Sequence, residues 1–248
     1  MIARQKAVQV GQARSDYNIL NELGKRCSDQ VHWWPTVKDA LNYILSPSGM
    51  TWEGFCELGY LQGERIFLKY LKEGFSTPTG KVEFYSTGLE KLGYDPLPGF
   101  FDPPESPWSS PELLEDYPFQ LITGARIPFF FHTENRVPGV LRNKHPDPLV
   151  EIHPEVAREK GIAEGDWVEI SSPRGKVVQR AVLTDRVSPK VIAADHGWWF
   201  PEESDDLGWN RSNVNVLIDN AYGGCDPAMG ATNLRVLLCN VKKASDLS

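Results

Sequence analysis

The sequence predicts an α+β, mainly β chain: a mostly helical partial domain first, then a closed or nearly closed β-barrel. Three observations carry this prediction. Apolar residues recur at helical spacing before residue 95, prolines crowd residues 95–118, and about six short alternating runs follow, broken by a single helical segment.

Taken in order, Ser15 or Asp16 suits the cap of a helix through YNILNELGKR, with Ile19, Leu20 and Leu23 on one face and Gly24 as a weak point or an end. Thr36 opens a second helix in TVKDALNYIL, where Val37, Ala40, Leu41 and Ile44 repeat at helical spacing. Thr51 caps TWEGFCELGYL in the same way. The alternation in TPTGKVEFYS, with its Thr-Gly turn, predicts a short strand. Residues 95–118 hold 7 of the 19 prolines, and proline removes amide donors and fixes φ, so an extended connector is expected there.

Beyond the connector the pattern changes to β. FQLIT at 119–123 reads as a strand ending at Gly124, and PLVEI at 148–152 as another. In HPEVAREKG, Pro154 fits a first helical turn and Gly161 a C-terminal stop. EGDWVEISS and KVVQRAVLT form a hairpin-like pair around Ser172-Pro173-Arg174-Gly175, and KVIAAD at 190–195 and NLRVLLCNV at 233–241 supply two more strands. The domain boundaries expected from this reading are 1–94, 95–118, 119–242 and a tail at 243–248.

Composition excludes several classes. The 248 residues are 41% apolar and 24% charged, which fits a globular protein and not a disordered or fibrous one. The net charge of −7 argues against a chain that coats nucleic acid. No apolar run approaches the roughly 18 residues of a membrane span, and MIARQKAVQV lacks the apolar core of a signal peptide. Neither direct membrane insertion nor a secretory signal on this chain is expected, and a cytoplasmic or periplasmic location stays open. Much of the acid is confined to 102–116, which has five carboxylates and no Lys or Arg, and to 201–226, which has six against Arg211. The remainder is mildly basic and suited to an anionic ligand. Cys27, Cys56, Cys225 and Cys239 have no spacing that makes a zinc knuckle or an iron–sulfur loop, so no metal is expected on this chain alone.

Three stretches have the residue types for chemistry. In LITGARIPFFFHTENR, Gly124 lets a ligand approach the backbone, while Thr123, Arg126, His132, Asn135 and Arg136 supply donors. Guanidinium groups pair with phosphate, and an amide satisfies an edge with both a donor and an acceptor. The plainer reading is a strand, a loop and an aromatic plug at Phe129–Phe131. In ADHGWWFPEESDD, His196 lies beside Trp198 and Trp199, and Glu202, Glu203, Asp205 and Asp206 offer the paired carboxylates that a glycosidase needs. A core tryptophan pair with a solvated acidic loop explains the same residues. In NVNVLIDNAYGGCDPAMG, Asn213 and Asn215 alternate with apolar residues, which as a strand puts both amides on one side, and Gly223-Gly224 makes a bend. A ligand rim and two solvent-facing asparagines are both compatible with that pattern.

LITGAR, FHTENR, PDPLVEIHPEVAREKGIAEGDWVEISSPRGKV, DHGWWFPE, NVNVL and LRVLLCNV together resemble the C-terminal dinucleotide-binding domain of molybdopterin oxidoreductases, the dimethyl-sulfoxide-reductase superfamily. ARSDYNILNELGKRC and FSTPTGKVEFYS are similar to the part of the catalytic domain that precedes it, and FHTENR with HGWWFPE resembles the branch with acetylene-hydratase-like proteins. The resemblance implies a double-psi β-barrel and contacts to molybdopterin guanine dinucleotide. By position, Thr123, Gly124 and Arg126 match a Thr-Gly-Arg turn with Ala125 inserted; His132, Asn135 and Arg136 match a cofactor-facing loop. His196 and Trp198 match a Gly-Trp segment, Asn215 an Asn-x-Leu motif, and Arg235 a basic position near the end.

The family's N-terminal cysteine cluster and its metal-ligating residue have no counterpart here. The resemblance therefore implies the C-terminal, cofactor-closing portion of a molybdenum or tungsten enzyme. Its partners are then the missing N-terminal portion or subunit and an iron–sulfur electron-transfer subunit, with no catalytic residue and no iron–sulfur cluster on this chain. The alternative is a stand-alone, non-catalytic module that binds a nucleotide or a protein partner. Trp33–Trp34, Phe129–Phe131 and Trp198–Trp199 are the apolar clusters expected to face a partner.

Overall fold

The computed structural model describes residues 1–29, 31, 33–124, 126–203, 206–221, 225–226, 229–233 and 235–245. They form two compact units, Met1–Glu83 and Phe84–Ser248.

The first unit holds α1 (Asp16–Cys27), α2 (Val37–Leu45), α3 (Trp52–Leu58) and α4 (Tyr70–Glu73). Side-chain caps set the starts of the first three. Ser15 accepts from the Asn18 amide, Thr36 and Asp39 form a reciprocal capping box, and Thr51 accepts from the Gly54 amide. Gly24 is neither a break nor an end of α1. The Trp33 ring occupies the place where its Cβ would stand, 2.0 Å away, so glycine permits the contact. The predicted apolar face of α1 is not buried: Ile19, Leu20 and Leu23 are exposed, and Asn21 is the buried residue of that helix.

No strand forms at TPTGKVEFYS, which corrects the sequence expectation. The Phe75 amide donates to the Gly80 carbonyl and the Thr77 hydroxyl to the Lys81 carbonyl, which closes the stretch into turns. Alternation makes a strand only where a neighbouring strand takes up the backbone hydrogen bonds, and Val82 and Phe84 here remain exposed.

The second unit begins with α5 (Thr87–Lys91) and the proline-rich segment, which has only a short 3-10 turn at Pro111–Leu113. Six strands follow: β1 (Phe119–Ile122), β2 (Leu149–Ile152), β3 (Trp167–Ser172), β4 (Gly175–Leu183), β5 (Val191–Ala194) and β6 (Leu237–Lys243). They close in the order β1-β5-β2-β4-β3-β6. The β1–β5 and β2–β4 pairs are parallel and the other pairs antiparallel, in the expected double-psi β-barrel. Period-2 burial fills the barrel with Val150, Ile152, Val168, Ile170, Val177, Ile192 and Val241. Helix α6 (Pro154–Glu159) starts at His153, with proline in its first turn.

Three further differences bear on the site. NVNVL is not a strand: after α7 (Trp209–Ser212), Asn213 caps a 3-10 turn over Val214–Leu217 by accepting from the Asn215 amide. The last strand starts at Leu237, after the Asn233 side chain bonds the Val236 carbonyl. Phe130 and Trp198 are core residues, not members of an exposed partner face, and they pack with Ile127 and Phe200 in a second small core. The Gly223-Gly224 bend and Asp205 lie outside the described residues.

Candidate functional site

Chain segments leaving the barrel strands converge at one end of it. β1 runs out at Thr123 and turns at Gly124, whose φ is +61°. β5 runs out at Asp195, followed by His196 and Gly197. The loop at 132–136 crosses over this exit, and the 3-10 turn after α7 supplies the opposite wall. Between them lies a cleft of about 340 Å³ lined by Thr123, Gly124, Arg126, His132, Thr133, His196, Gly197, Val214, Asn215 and Arg235.

Seven of the ten sequence-predicted site residues line that cleft: Thr123, Gly124, Arg126, His132, His196, Asn215 and Arg235. They come from four separate stretches of the chain. Asn135, Arg136 and Trp198 do not line it. Asn135 is exposed, with φ of +66°. Trp198 is fully buried. Arg136 lies beneath the wall, 1% exposed, with its guanidinium 4.1 Å from the centre of the Phe130 ring and 4.3 Å from that of Trp198. Its Nη2 donates to the carbonyls of His132 (3.1 Å) and His196 (2.9 Å), and its Nε to that of Gly197 (3.3 Å). Arg136 thereby joins the 132–136 loop to the β5 exit. Burial pushes its pKa down to about 10, which still leaves it charged at neutral pH.

Gly197, Thr133 and Val214 line the cleft without having been singled out in the sequence. Gly197 lies within the quoted DHGWWF, and its need for glycine shows only in three dimensions. The Trp199 indole holds the other side of that wall by donating to the Thr133 carbonyl at 2.7 Å.

The electrostatics are opposite in sign to the chain's total charge. Among the described residues no carboxylate lines the cleft, while Arg126 and Arg235 do, and neither guanidinium has a hydrogen bond or ion pair with another described residue. Burial, together with the positive charge of Arg136, holds the His196 pKa below its ordinary value and favours the neutral ring. A neutral imidazole, two free guanidiniums, an exposed amide at Asn215 and a turn without a side chain at Gly124 form a donor set for a polyanion with a polar ring. A second cleft of about 420 Å³ adjoins the first through Gly124 and Arg126 and includes His145, Asp195 and Arg186. There His145 Nε2 and the Leu149 amide both meet Asp195 Oδ2, at 2.6 and 2.8 Å. A ligand too long for one cleft has a continuation across the Gly124–Arg126 turn.

The acidic residues after Trp199 have other tasks. Glu202 pairs with Arg142, and Glu203 with Arg211. Arginines thus engage both Glu202 and Glu203, the two acids on which the glycosidase reading leans, while Asp205 lies outside the described residues. Among the described residues no group of three or more His, Cys, Asp or Glu is arranged to hold a metal ion. No described helix is long and apolar enough to cross a membrane.

Residues 119–236 match the family described as Molydopterin dinucleotide binding domain. Acetylene hydratase of Syntrophotalea acetylenica is 32% identical over 248 residues, covering 94% of this chain and 33% of the relative. Dopamine dehydroxylase of Eggerthella lenta is 40% identical over 179 residues, covering 70% of this chain and 17% of the relative. Among solved structures, acetylene hydratase from Pelobacter acetylenicus superposes with a TM-score of 0.80 at 31% identity, over 94% of this chain and 33% of that one. The chain thus spans about a third or less of the length of these relatives.

Proposed function

Residues 119–236 belong to the molybdopterin dinucleotide-binding domain family; on that premise we propose that the chain is the C-terminal, cofactor-binding portion of a molybdenum or tungsten oxidoreductase, and that the cleft at the barrel end holds molybdopterin guanine dinucleotide. The observation that carries this reading is the convergence of seven residues from four stretches on one cleft that no carboxylate of the described residues lines.

Each residue has a role set by its chemistry. Arg126 and Arg235 pair with pyrophosphate oxygens, and Thr123 adds a hydroxyl. Gly124 lets the ligand lie against the backbone. Asn215 meets a ring edge through its amide, and the neutral His196 faces the ring system, with His132 beside it. Arg136 and Trp198 keep the wall in place from below, and Asn135 holds the turn of the loop above it. When bound, the cofactor supplies the metal-centred redox chemistry, and this chain supplies binding, orientation and exclusion of water. The metal, molybdenum or tungsten, is held through the remainder of the enzyme in this reading, as is any iron–sulfur cluster. An iron–sulfur electron-transfer subunit would meet the assembled protein.

The relatives' names point to acetylene, dopamine, and dimethyl sulfoxide or trimethylamine N-oxide as substrates. This range over one shared portion assigns the choice of substrate to the remaining polypeptide.

The test is co-expression with the rest of the enzyme. The assembled protein is expected to carry metal and pterin, and Arg126→Ala and Asn215→Ala are expected to lower cofactor content at least several-fold. An assembled complex in which both variants retain full cofactor would overturn the assignment of the cleft.

A further inference from the structure

One buried amide joins the two walls of this cleft. Gln179 stands on β4 between Val177 and Ala181, at an inward position where the alternation calls for an apolar side chain, and it is fully buried. Such a residue is costly unless every polar atom finds a partner. Both polar atoms are partnered, through three hydrogen bonds. Its Nε2 donates to the Asp195 carbonyl at 2.9 Å and to the Ser212 carbonyl at 3.1 Å, and its Oε1 accepts from the Asp195 amide at 3.0 Å.

The places it grips are specific. Asp195 is the residue at which β5 leaves the barrel, and it also donates to the Leu149 carbonyl at 2.9 Å. The next two residues, His196 and Gly197, form one wall. By bonding both the amide and the carbonyl of Asp195, the Gln179 side chain stands in for a neighbouring strand just where the sheet ends. Ser212 is the last residue of α7, and its hydroxyl donates to the Val178 carbonyl at 2.8 Å. The following Asn213 caps the turn that presents Val214 and Asn215, the other wall.

We propose that Gln179 is a positioning residue that fixes the His196–Gly197 wall against the Asn213–Asn215 wall, and so sets the width of the cleft. It touches no ligand and acts through Asp195 and Ser212. Its bearing on guanine-dinucleotide binding rests on the cofactor reading above; the linkage between the walls rests on its own three hydrogen bonds.

The test compares Gln179→Met, which keeps length and loses both polar atoms and their three hydrogen bonds, with Val177→Ala, which opens a cavity on the same strand and removes none of those hydrogen bonds. Gln179→Glu, which retains an acceptor for Asp195, stands in if the methionine variant does not fold. Two readouts are taken on the folded proteins: amide hydrogen exchange, and the affinity for GDP as a probe of the dinucleotide's nucleotide half. In Gln179→Met, exchange at the Asn213 and Asn215 amides is expected to rise at least tenfold while β2 and β3 stay protected, and GDP affinity to fall at least tenfold. Val177→Ala is expected to keep both within about twofold at equal loss of Tm. Unchanged exchange and affinity in a folded Gln179→Met would overturn the proposal, as would losses that follow Tm equally in both variants. If the wild type takes up no GDP while the Gln179 variant still loosens the Asn213–Asn215 wall, the linkage stands and the dinucleotide reading falls.

Discussion

Gly197 has φ of +64°, and a Cβ there would stand 3.3 Å from both the His132 carbonyl oxygen and Thr133 Cγ2. A side chain at that position meets an unfavourable backbone region and a crowded wall together. Gly197→Ala is therefore expected to lower unfolding free energy by about 1–2 kcal/mol, measured by urea denaturation. A loss below about 0.5 kcal/mol would show that the 132–136 loop yields to the methyl. His196 beside it makes a pH-dependent contribution. Burial first, then Arg136 and His132, lower its pKa from 6.5 in the folded chain. Above that value both folded and unfolded chains hold the ring neutral, and the contribution is fully present. As pH falls below about 6.5, the unfolded chain takes up the proton before the folded one, and stability is lost down through the folded pKa. His196→Gln should flatten the decline in stability between about pH 7 and pH 5 relative to the parent. An unchanged decline would remove His196 from the account.

The proline-rich segment shows how an element without regular structure is held. Glu105 accepts from Arg174 Nη1 at 2.6 Å and Nη2 at 3.0 Å, and from the Leu238 amide of β6 at 2.7 Å. Arg174 in turn donates through Nε to the Leu217 carbonyl at 2.8 Å, at the end of the turn that carries Asn215. Removing the carboxylate leaves a partly buried guanidinium and a strand amide without their partner. Glu105→Ala is expected to destabilise the chain by about 3 kcal/mol, and Glu105→Gln by less. Matching urea curves for the alanine variant and the parent would refute the clamp. None of this showed in the sequence, where Glu105 was one acid in a run of five. The barrel strands were legible because period-2 burial in Val168–Ile170 and Val177–Ala181 is a local signal. The caps at Ser15, Thr36 and Thr51 were legible for the same reason. TPTGKVEFYS and NVNVL alternate as well, but one lacks a pairing strand and the other is capped by Asn213. Pairing is a property of the fold and leaves no local trace. In the site, donors such as Arg126 and Asn215 could be named from residue type. Gln179 and Gly197 matter because of what stands opposite them, and that has no sequence signature.

At the scale of the molecule, the two compact units differ in how well each supports itself. The buried apolar residues of Met1–Glu83 are Ala40, Leu45 and Phe55, among the described residues. The barrel unit buries over twenty, including seven β-branched residues within its strands. Burial contributes roughly 25 cal/mol per Å² of apolar surface, set against about 1–2 kcal/mol of backbone entropy per ordered residue. By that balance the helical unit is held weakly, and its exposed Leu20, Leu23, Tyr43, Ile44 and Phe67 are apolar surface left without cover. Dilute chymotrypsin should therefore cut within Met1–Glu83 first and leave a resistant fragment containing residues 119–243, read by mass spectrometry over time. Cleavage inside the barrel strands before the helical unit would contradict this. The same measurement bears on the proposed remainder of the enzyme. If that polypeptide covers the α1 and α2 faces, its presence should slow cleavage in Met1–Glu83 by at least tenfold and change the barrel's slow rate little. Equal protection of both units would instead point to the cofactor cleft as the main contact, because closing over a shared ligand stabilises the barrel first.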